Sequence, residues 1–153
     1  MASLRLARIV ASGFGIGYAA GAPGSAGSLA ALVLGAGLLW ISPVLVSLAA
    51  LLAIAAGFWA VRLLHADDDP AWIVVDEFAG QWIAMLALPR PTLAGLLAAF
   101  VLFRLFDVAK PGPVGWADRR HGVVGVMVDD IIAGALAAAL LGAARVLWPG
   151  VLG

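Results

Sequence analysis

The chain has 153 residues, nine basic against nine acidic, and 64% of it is hydrophobic while only 12% is charged. Soluble domains carry about 25% charged residues, so this balance points to the lipid bilayer as solvent. Zero net charge without a basic block argues against a nucleic-acid partner, and the lack of cysteine excludes disulfides, zinc–thiolate sites and cysteine nucleophiles.

Residues 2–11 predict a short amphipathic helix lying on the membrane surface. With glycines at 13, 15 and 17, this end lacks the continuous apolar core of a cleaved signal peptide. Residues 11–28, ASGFGIGYAAGAPGSAGS, are too rich in glycine for a stable helix and read as a loop. Residues 28–40 predict an apolar helix short for a full crossing. After the breaker Ser42-Pro43, residues 44–64 predict one of spanning length. HADDDP (65–70) reads as a polar, solvated turn, with a peripheral ion site at Asp67–Asp69 as the alternative. Residues 71–88 predict a third hydrophobic helix ended by PRP at 89–91, residues 92–106 a fourth and residues 123–147 a fifth. The loop 107–122 holds most of the remaining basic residues. The expected fold is all-α: a polytopic membrane helical bundle of about five hydrophobic helices plus the N-terminal amphipathic one, as a single domain over residues 1–153.

Basic residues in short loops favour the cytoplasmic side. Arg5, Arg8, Arg62, Lys110, Arg119 and Arg120 fall at one face of this topology, and Arg90 at the other. Asp76 and Glu77 then lie near the cytoplasmic end of the third helix. Arg104 and Asp107, three residues apart on one helical face, close the fourth, and Asp129 and Asp130 lie about two turns into the fifth. Charges inside spans cost roughly 2.5–3.5 kcal/mol each at a helix centre, so several at one depth read as a site. The plainer alternative is a set of structural ion pairs, Arg104 with Asp107 among them.

Oxygen-rich ligation suits a hard cation, and Mg²⁺ is usually bound through one or two carboxylates plus substrate phosphate. Neighbours on a helix point about 100° apart. One member of each acidic pair is therefore expected to face the metal while the other orients a partner or a second ion. Arg104 and Lys110 are candidates for binding phosphate oxygens, as are the backbone N–H groups and serine hydroxyls of the glycine-rich loop. Nucleotide P-loop, DxDx[TV] and HExxH patterns are absent, and His65 and His121 lie in different loops. A small cation transporter is the rival reading, but the outer halves of the helices carry no ionisable group to line a path.

Four stretches together resemble the phosphatidylglycerophosphatase A family: GFGIGYAAGAPGSAGSLAAL (13–32), IVVDEFAGQWIAMLALP (73–89), FRLFDVAKPGPVGWADR (103–119) and HGVVGVMVDDIIAGALAA (121–138). Ala20 stands where the family commonly has proline, and Gly122-Val123 where it commonly has a glycine pair. The resemblance implies a Mg²⁺-dependent phosphatase of the bacterial cytoplasmic membrane. It would convert phosphatidylglycerophosphate, a membrane phospholipid, into phosphatidylglycerol and phosphate at the cytoplasmic face. It places functional residues at Asp76, Glu77, Arg104, Asp107, Lys110, Asp129 and Asp130, with Gly24, Ser25 and Ser28 in the loop. Asp76, Glu77, Asp129 and Asp130 would be the metal ligands, and Gly24, Ser25, Ser28, Arg104 and Lys110 the phosphate contacts. Attack by water activated at the metal is the first reading of the chemistry, with an aspartyl-phosphate intermediate left open. Outside the site, Met85 and Met127 are expected in the core, tryptophans such as Trp72, Trp82 and Trp148 as anchors or packing, and Asp118, Arg119, Arg120 and His121 as loop residues.

Overall fold

A computed structural model describes residues 1–66 and 69–150, and among these all regular structure is helical. The helices are α1 (Ala2–Ala11), α2 (Pro23–Ile41), α3 (Pro43–Leu64), α4 (Val75–Met85), α5 (Leu93–Ala109), α6 (Pro113–Asp118) and α7 (Val123–Leu147). Proline, serine and threonine set the starts of α2, α3, α5 and α6. Pro23, Pro43 and Pro113 occupy first-turn positions, where the missing N–H costs nothing. Ser42 and Thr92 cap α3 and α5 by accepting from the Val44 and Gly95 N–H groups, each at 3.2 Å.

The glycine-rich stretch is only half loop. Gly13, Phe14 and Gly15 form a left-handed turn, followed by a single 3₁₀ turn at Ile16–Tyr18, and α2 then starts at Pro23, earlier than the expected residue 28. Helix propensity is overridden here by tertiary contact. A Cβ on Gly27 would lie 2.8 Å from the Val74 Cβ, so the small residue lets α2 approach the entrance of α4. The result is a helix of 19 residues instead of a short one.

The third hydrophobic helix is shorter than the expected 71–88. Residues 71–74 are committed elsewhere: the Ile73 N–H donates to the Pro70 carbonyl and the Val74 N–H to that of Ala11, both at 2.9 Å. Helix α4 therefore begins inside the bundle and has 11 residues, eight of them buried, too few to cross alone at about 1.5 Å per residue. It is the central helix, in contact with α2, α3, α5 and α7. Its closest neighbour is α7. A Cβ on Gly134 would collide with the Gly80 carbonyl oxygen, and one on Gly80 would come within 2.6 Å of the Asp130 carbonyl. Helix α5 continues to Ala109, past the expected end at 106, and α6 lies within the expected loop.

Three helices, α2, α3 and α7, are long and apolar enough to cross a membrane. The outward faces of the bundle are lined by exposed apolar side chains such as Val33, Leu48, Leu52, Leu97 and Val101, as a lipid-facing surface requires. Met85 and Met127 are fully buried, as expected. At the end away from the charges, Trp40 and Trp148 are exposed in the manner of interfacial anchors, and the Arg145 Nη1 donates to the Ala87 carbonyl at 2.6 Å. At the other end, the starts of α2 and α4, the end of α5 and the first third of α7 meet.

Candidate active site

Because α4 starts within the bundle, its first turn delivers Asp76 and Glu77 to a buried level. Its N-cap residue, Val74, offers no side-chain cap, so these carboxylates sit where the free N–H groups and the positive end of the helix dipole favour negative charge. From α7, Asp129 and Asp130 arrive at the same depth, held there by the Gly80–Gly134 approach. A hollow of about 140 Å³ is lined by Pro23, Gly24, Asp69, Ala71, Ile73, Asp76, Glu77, Asp107, Lys110, Asp129 and Asp130. Of the charged residues singled out from the sequence as the site, Asp76, Glu77, Asp107, Lys110, Asp129 and Asp130 line it, and Arg104 stands behind Asp107 without lining it.

Each cation is positioned by a carboxylate. The Arg104 Nη1 pairs with Asp107 three residues on and also donates to the Ser28 Oγ at 3.4 Å. Ser28 Oγ in turn donates to the Gly24 carbonyl at 2.8 Å, so this buried hydroxyl ties α2 to α5. A Cβ on Gly24 would meet the Glu77 Oε1 and lie 3.4 Å from the Arg104 Nη1. Glycine is what allows a helix start, a carboxylate and a guanidinium to share this corner. Ser25 is exposed and does not line the hollow, which leaves its backbone N–H, in the first turn of α2, as its contribution to that end.

Lys110 ends α5 in a left-handed conformation (φ 46°). Its ammonium lies 2.7 Å from the Asp129 Oδ2 and 2.7 Å from the Asp118 Oδ1, using two of three N–H groups. Partial burial disfavours its charge, but these two carboxylates more than offset that and raise its pKa above the usual lysine range. It is a fixed cation at neutral pH.

Two acidic groupings have one oxygen per residue all within 4.8 Å of one another: Asp76, Glu77 and Asp130, and Asp107, Asp129 and Asp130. Asp130 belongs to both. Asp76 Oδ1, Glu77 Oε2, Asp129 Oδ1 and Asp130 Oδ2 are buried without a hydrogen-bond partner among the described residues. Such oxygens are costly unless something positive meets them, and an all-oxygen set at this spacing has the chemistry of a hard divalent-cation site. The two pairs differ: Asp129 holds Lys110 while Asp130 belongs to both groupings, whereas Asp76 and Glu77 stand together in one grouping, contrary to the expectation that each pair divides.

Three residues escaped the sequence reading. Asp118, taken as a loop charge, closes α6 onto Lys110. Asp69, for which the sequence offers only a solvated turn or a peripheral ion site, stands exposed at the rim of the hollow; Asp67 and Asp68 lie outside the described residues. Gln81 is fully buried one turn below Glu77, and neither polar atom of its amide has a partner among the described residues. Its spacing of four from Glu77 was a usable signal. His121 is exposed and does not line the hollow, and His65 caps α3 beside α1.

Comparison with known proteins bears directly on this constellation. The family model for phosphatidylglycerophosphatase A matches residues 9–145. The chain belongs to the phosphatidylglycerophosphatase A family. Phosphatidylglycerophosphatase A of Escherichia coli (strain K12) is 39% identical over 145 residues, covering 92% of this chain and 84% of the relative. The Haemophilus influenzae Rd protein of the same name is 38% identical over 130 residues, covering 82% and 80%. A Bacteroides thetaiotaomicron relative named putative phosphatidylinositol-3-phosphatase is 39% identical over 146 residues, covering 90% and 92%. No solved structure matches the chain. The protein is thus a phosphatase and, with three helices of spanning character, a membrane protein. The hollow lies within the matched region, and its carboxylates, cations and helix start are the chemistry a phosphatase needs.

Proposed function

We propose that this protein hydrolyses phosphatidylglycerophosphate to phosphatidylglycerol and inorganic phosphate, with Mg²⁺ as cofactor, at the cytoplasmic face of the bacterial inner membrane. The observation that carries the reading is the convergence of Asp76, Glu77, Asp129, Asp130 and Lys110 around one hollow where the helix ends meet, with Arg104 beside it, paired with the lining residue Asp107. The family membership and the names of the Escherichia coli and Haemophilus influenzae relatives support the substrate. The position of the hollow suits a lipid whose chains stay among the apolar helices while its phosphate reaches the carboxylates. Arg5, Arg8, Lys110, Arg119 and Arg120 all lie at or beside this end, which supports the cytoplasmic orientation.

Asp76, Asp129 and Asp130 would hold Mg²⁺, with Glu77 beside them. When bound, the ion supplies charge to polarise the phosphoryl group and acidify water. Arg104 and Lys110 offset the negative charge that builds on the phosphoryl oxygens, and the N–H groups opening α2 at Gly24 and Ser25 face the same anion. Glu77 takes the proton of the attacking water. The oxygen of that water bonds to phosphorus as the ester P–O bond breaks, and the departing glycerol oxygen takes up a proton to become the free hydroxyl. Asp107 fixes the Arg104 guanidinium and Asp129 fixes the Lys110 ammonium, so neither cation has to reorganise during the step.

The test is phosphate release from phosphatidylglycerophosphate in mixed micelles, with Mg²⁺ and after chelation, for the wild type and for Asp76→Asn and Asp129→Asn. Loss of turnover on chelation and in both variants is expected. Near-normal turnover in the variants would remove the assigned roles. Phosphatidylinositol 3-phosphate, the lipid named for the Bacteroides relative, is the competing substrate. Equal or higher kcat/KM on it would overturn the headgroup assignment.

A further inference from the structure

The N-terminal segment carries a second charged feature that the reaction does not use. Ala7 and Ala11, four residues apart, are fully buried, and these small side chains seat α1 against α3. Leu4, Leu6 and Ile9 remain exposed. Arg5 and Arg8, three residues apart, share two adjoining hollows. One, of about 480 Å³, is completed by Ile9, Ser12, Phe14 and Tyr18, and the other, of about 540 Å³, by Leu63, Leu64 and His65 at the end of α3. Among the described residues no acidic side chain lines either hollow and neither arginine makes an ion pair.

The turn beside these arginines is built to present an aromatic ring outward. Phe14 is a bulky residue at φ 58°, an outlier for its type, and it is 84% exposed. Its neighbours hold it there: a Cβ on Gly13 would come within 2.9 Å of the Phe78 ring, and one on Gly17 would strike the Trp72 carbonyl. Two guanidinium groups with no carboxylate partner among the described residues, beside an exposed phenyl ring and leucines at the level where the long helices end, ask for a ligand that is both anionic and amphiphilic.

We propose that this groove binds the headgroup of an anionic phospholipid, as a site separate from the catalytic hollow. Arg5 and Arg8 engage the lipid phosphate, while Ile9, Phe14 and Tyr18 lie against the glycerol and the start of the acyl chains. The two sites stand back to back across residues 71–74. The Arg8 guanidinium lies 5.7 Å from the centre of the Trp72 ring, and Tyr18 stacks on the same ring at 5.8 Å, whereas Ala71 and Ile73 line the catalytic hollow. A lipid held at Arg8 therefore buttresses the segment that leads into Asp76.

The probe is dioleoylphosphatidylserine, which is anionic but carries no phosphomonoester for the catalytic site, against dioleoylphosphatidylcholine. Retention of each lipid by the purified full-length protein in detergent is read by native mass spectrometry. The wild type is expected to retain phosphatidylserine in preference, and the double variant Arg5→Gln/Arg8→Gln to lose that preference roughly 30-fold, as two basic side chains at a lipid surface imply. The charge-preserving Arg5→Lys/Arg8→Lys should keep most of it, and Phe14→Ser should weaken retention of both lipids. Inorganic phosphate should not displace the bound lipid. Equal retention by wild type and the glutamine variant, or displacement by inorganic phosphate, would overturn the proposal.

Discussion

The Lys110 ammonium stands 2.7 Å from Asp129 on α7 and 2.7 Å from Asp118 on α6, joining three elements at the edge of the candidate site. Removing it leaves the Asp129 carboxylate, only 5% exposed, without its cation, and takes a fixed positive charge from the proposed phosphate position. Lys110→Met is expected to lower kcat by about 10²–10³-fold and to lower the melting temperature in detergent. Lys110→Arg, which keeps the charge, should restore much of the stability. The Asp118 side chain is 40% exposed against 5% for Asp129, so Asp118→Asn should cost less than about tenfold in kcat.

Gly24 separates catalysis from folding. A methyl group there meets the Glu77 carboxylate, and a misplacement of about 1 Å in a catalytic group costs about 10² in rate. Gly24→Ala should therefore reduce phosphate release by about that factor while membrane insertion is unchanged. Gly37, on the same helix, has nothing within 4 Å of its notional Cβ, so Gly37→Ala should leave activity intact. Quantifying inserted protein beside phosphate release checks both.

Asp130 is common to both carboxylate groupings, whereas Asp129 is already engaged by Lys110. If Mg²⁺ is held there, it should raise the melting temperature of the wild type, by an increment equivalent to about 2.7 kcal/mol at a hundred times its Kd. Asp130→Asn should remove more of that increment than Asp129→Asn. A calorimetric Mg²⁺ titration of the three proteins, after chelator treatment, reads the difference. Unchanged Mg²⁺ affinity in Asp130→Asn would exclude it as a ligand.

The approach of α4 to α7 depends on Gly80 and Gly134. The notional Cβ of Gly134 strikes backbone rather than a movable side chain, so Gly134→Ala should destabilise by about 3 kcal/mol, the upper end of the overpacking range. Gly142, two turns further along α7, has open space around it, and Gly142→Ala should stabilise by about 0.5–1 kcal/mol. Thermal unfolding in detergent distinguishes the two, and equal effects would mean that the helices are not in close contact there.

Much of this protein was legible in its sequence for reasons that are local. Apolar runs of helical length, broken by Pro43, Pro89 and Pro91, mark the hydrophobic helices, and α3 and α7 lie within a residue of their expected bounds because composition and caps act within a few residues. Charges that are costly inside apolar segments announced a site, since nothing about solubility required Asp76, Glu77, Asp129 or Asp130 to be there. The i, i+3 spacing of Arg104 and Asp107 was enough to pair them.

What the tertiary structure decided are the features that depend on contacts between distant segments. Residues 23–27 read as loop by glycine content, yet they open α2 because Gly24 and Gly27 meet Glu77 and Val74 rather than solvent. Residues 71–74 read as helix by apolar content, yet the Val74 N–H is taken by Ala11, so α4 starts deep and carries its carboxylates to the level of Asp129 and Asp130. The roles of Asp118 and Asp69 likewise follow from where α6 and residues 69–71 come to rest. Sequence determines which residues the bilayer tolerates and which it penalises; only packing, through hydrogen bonds and glycine-sized gaps, determines which penalised residues meet.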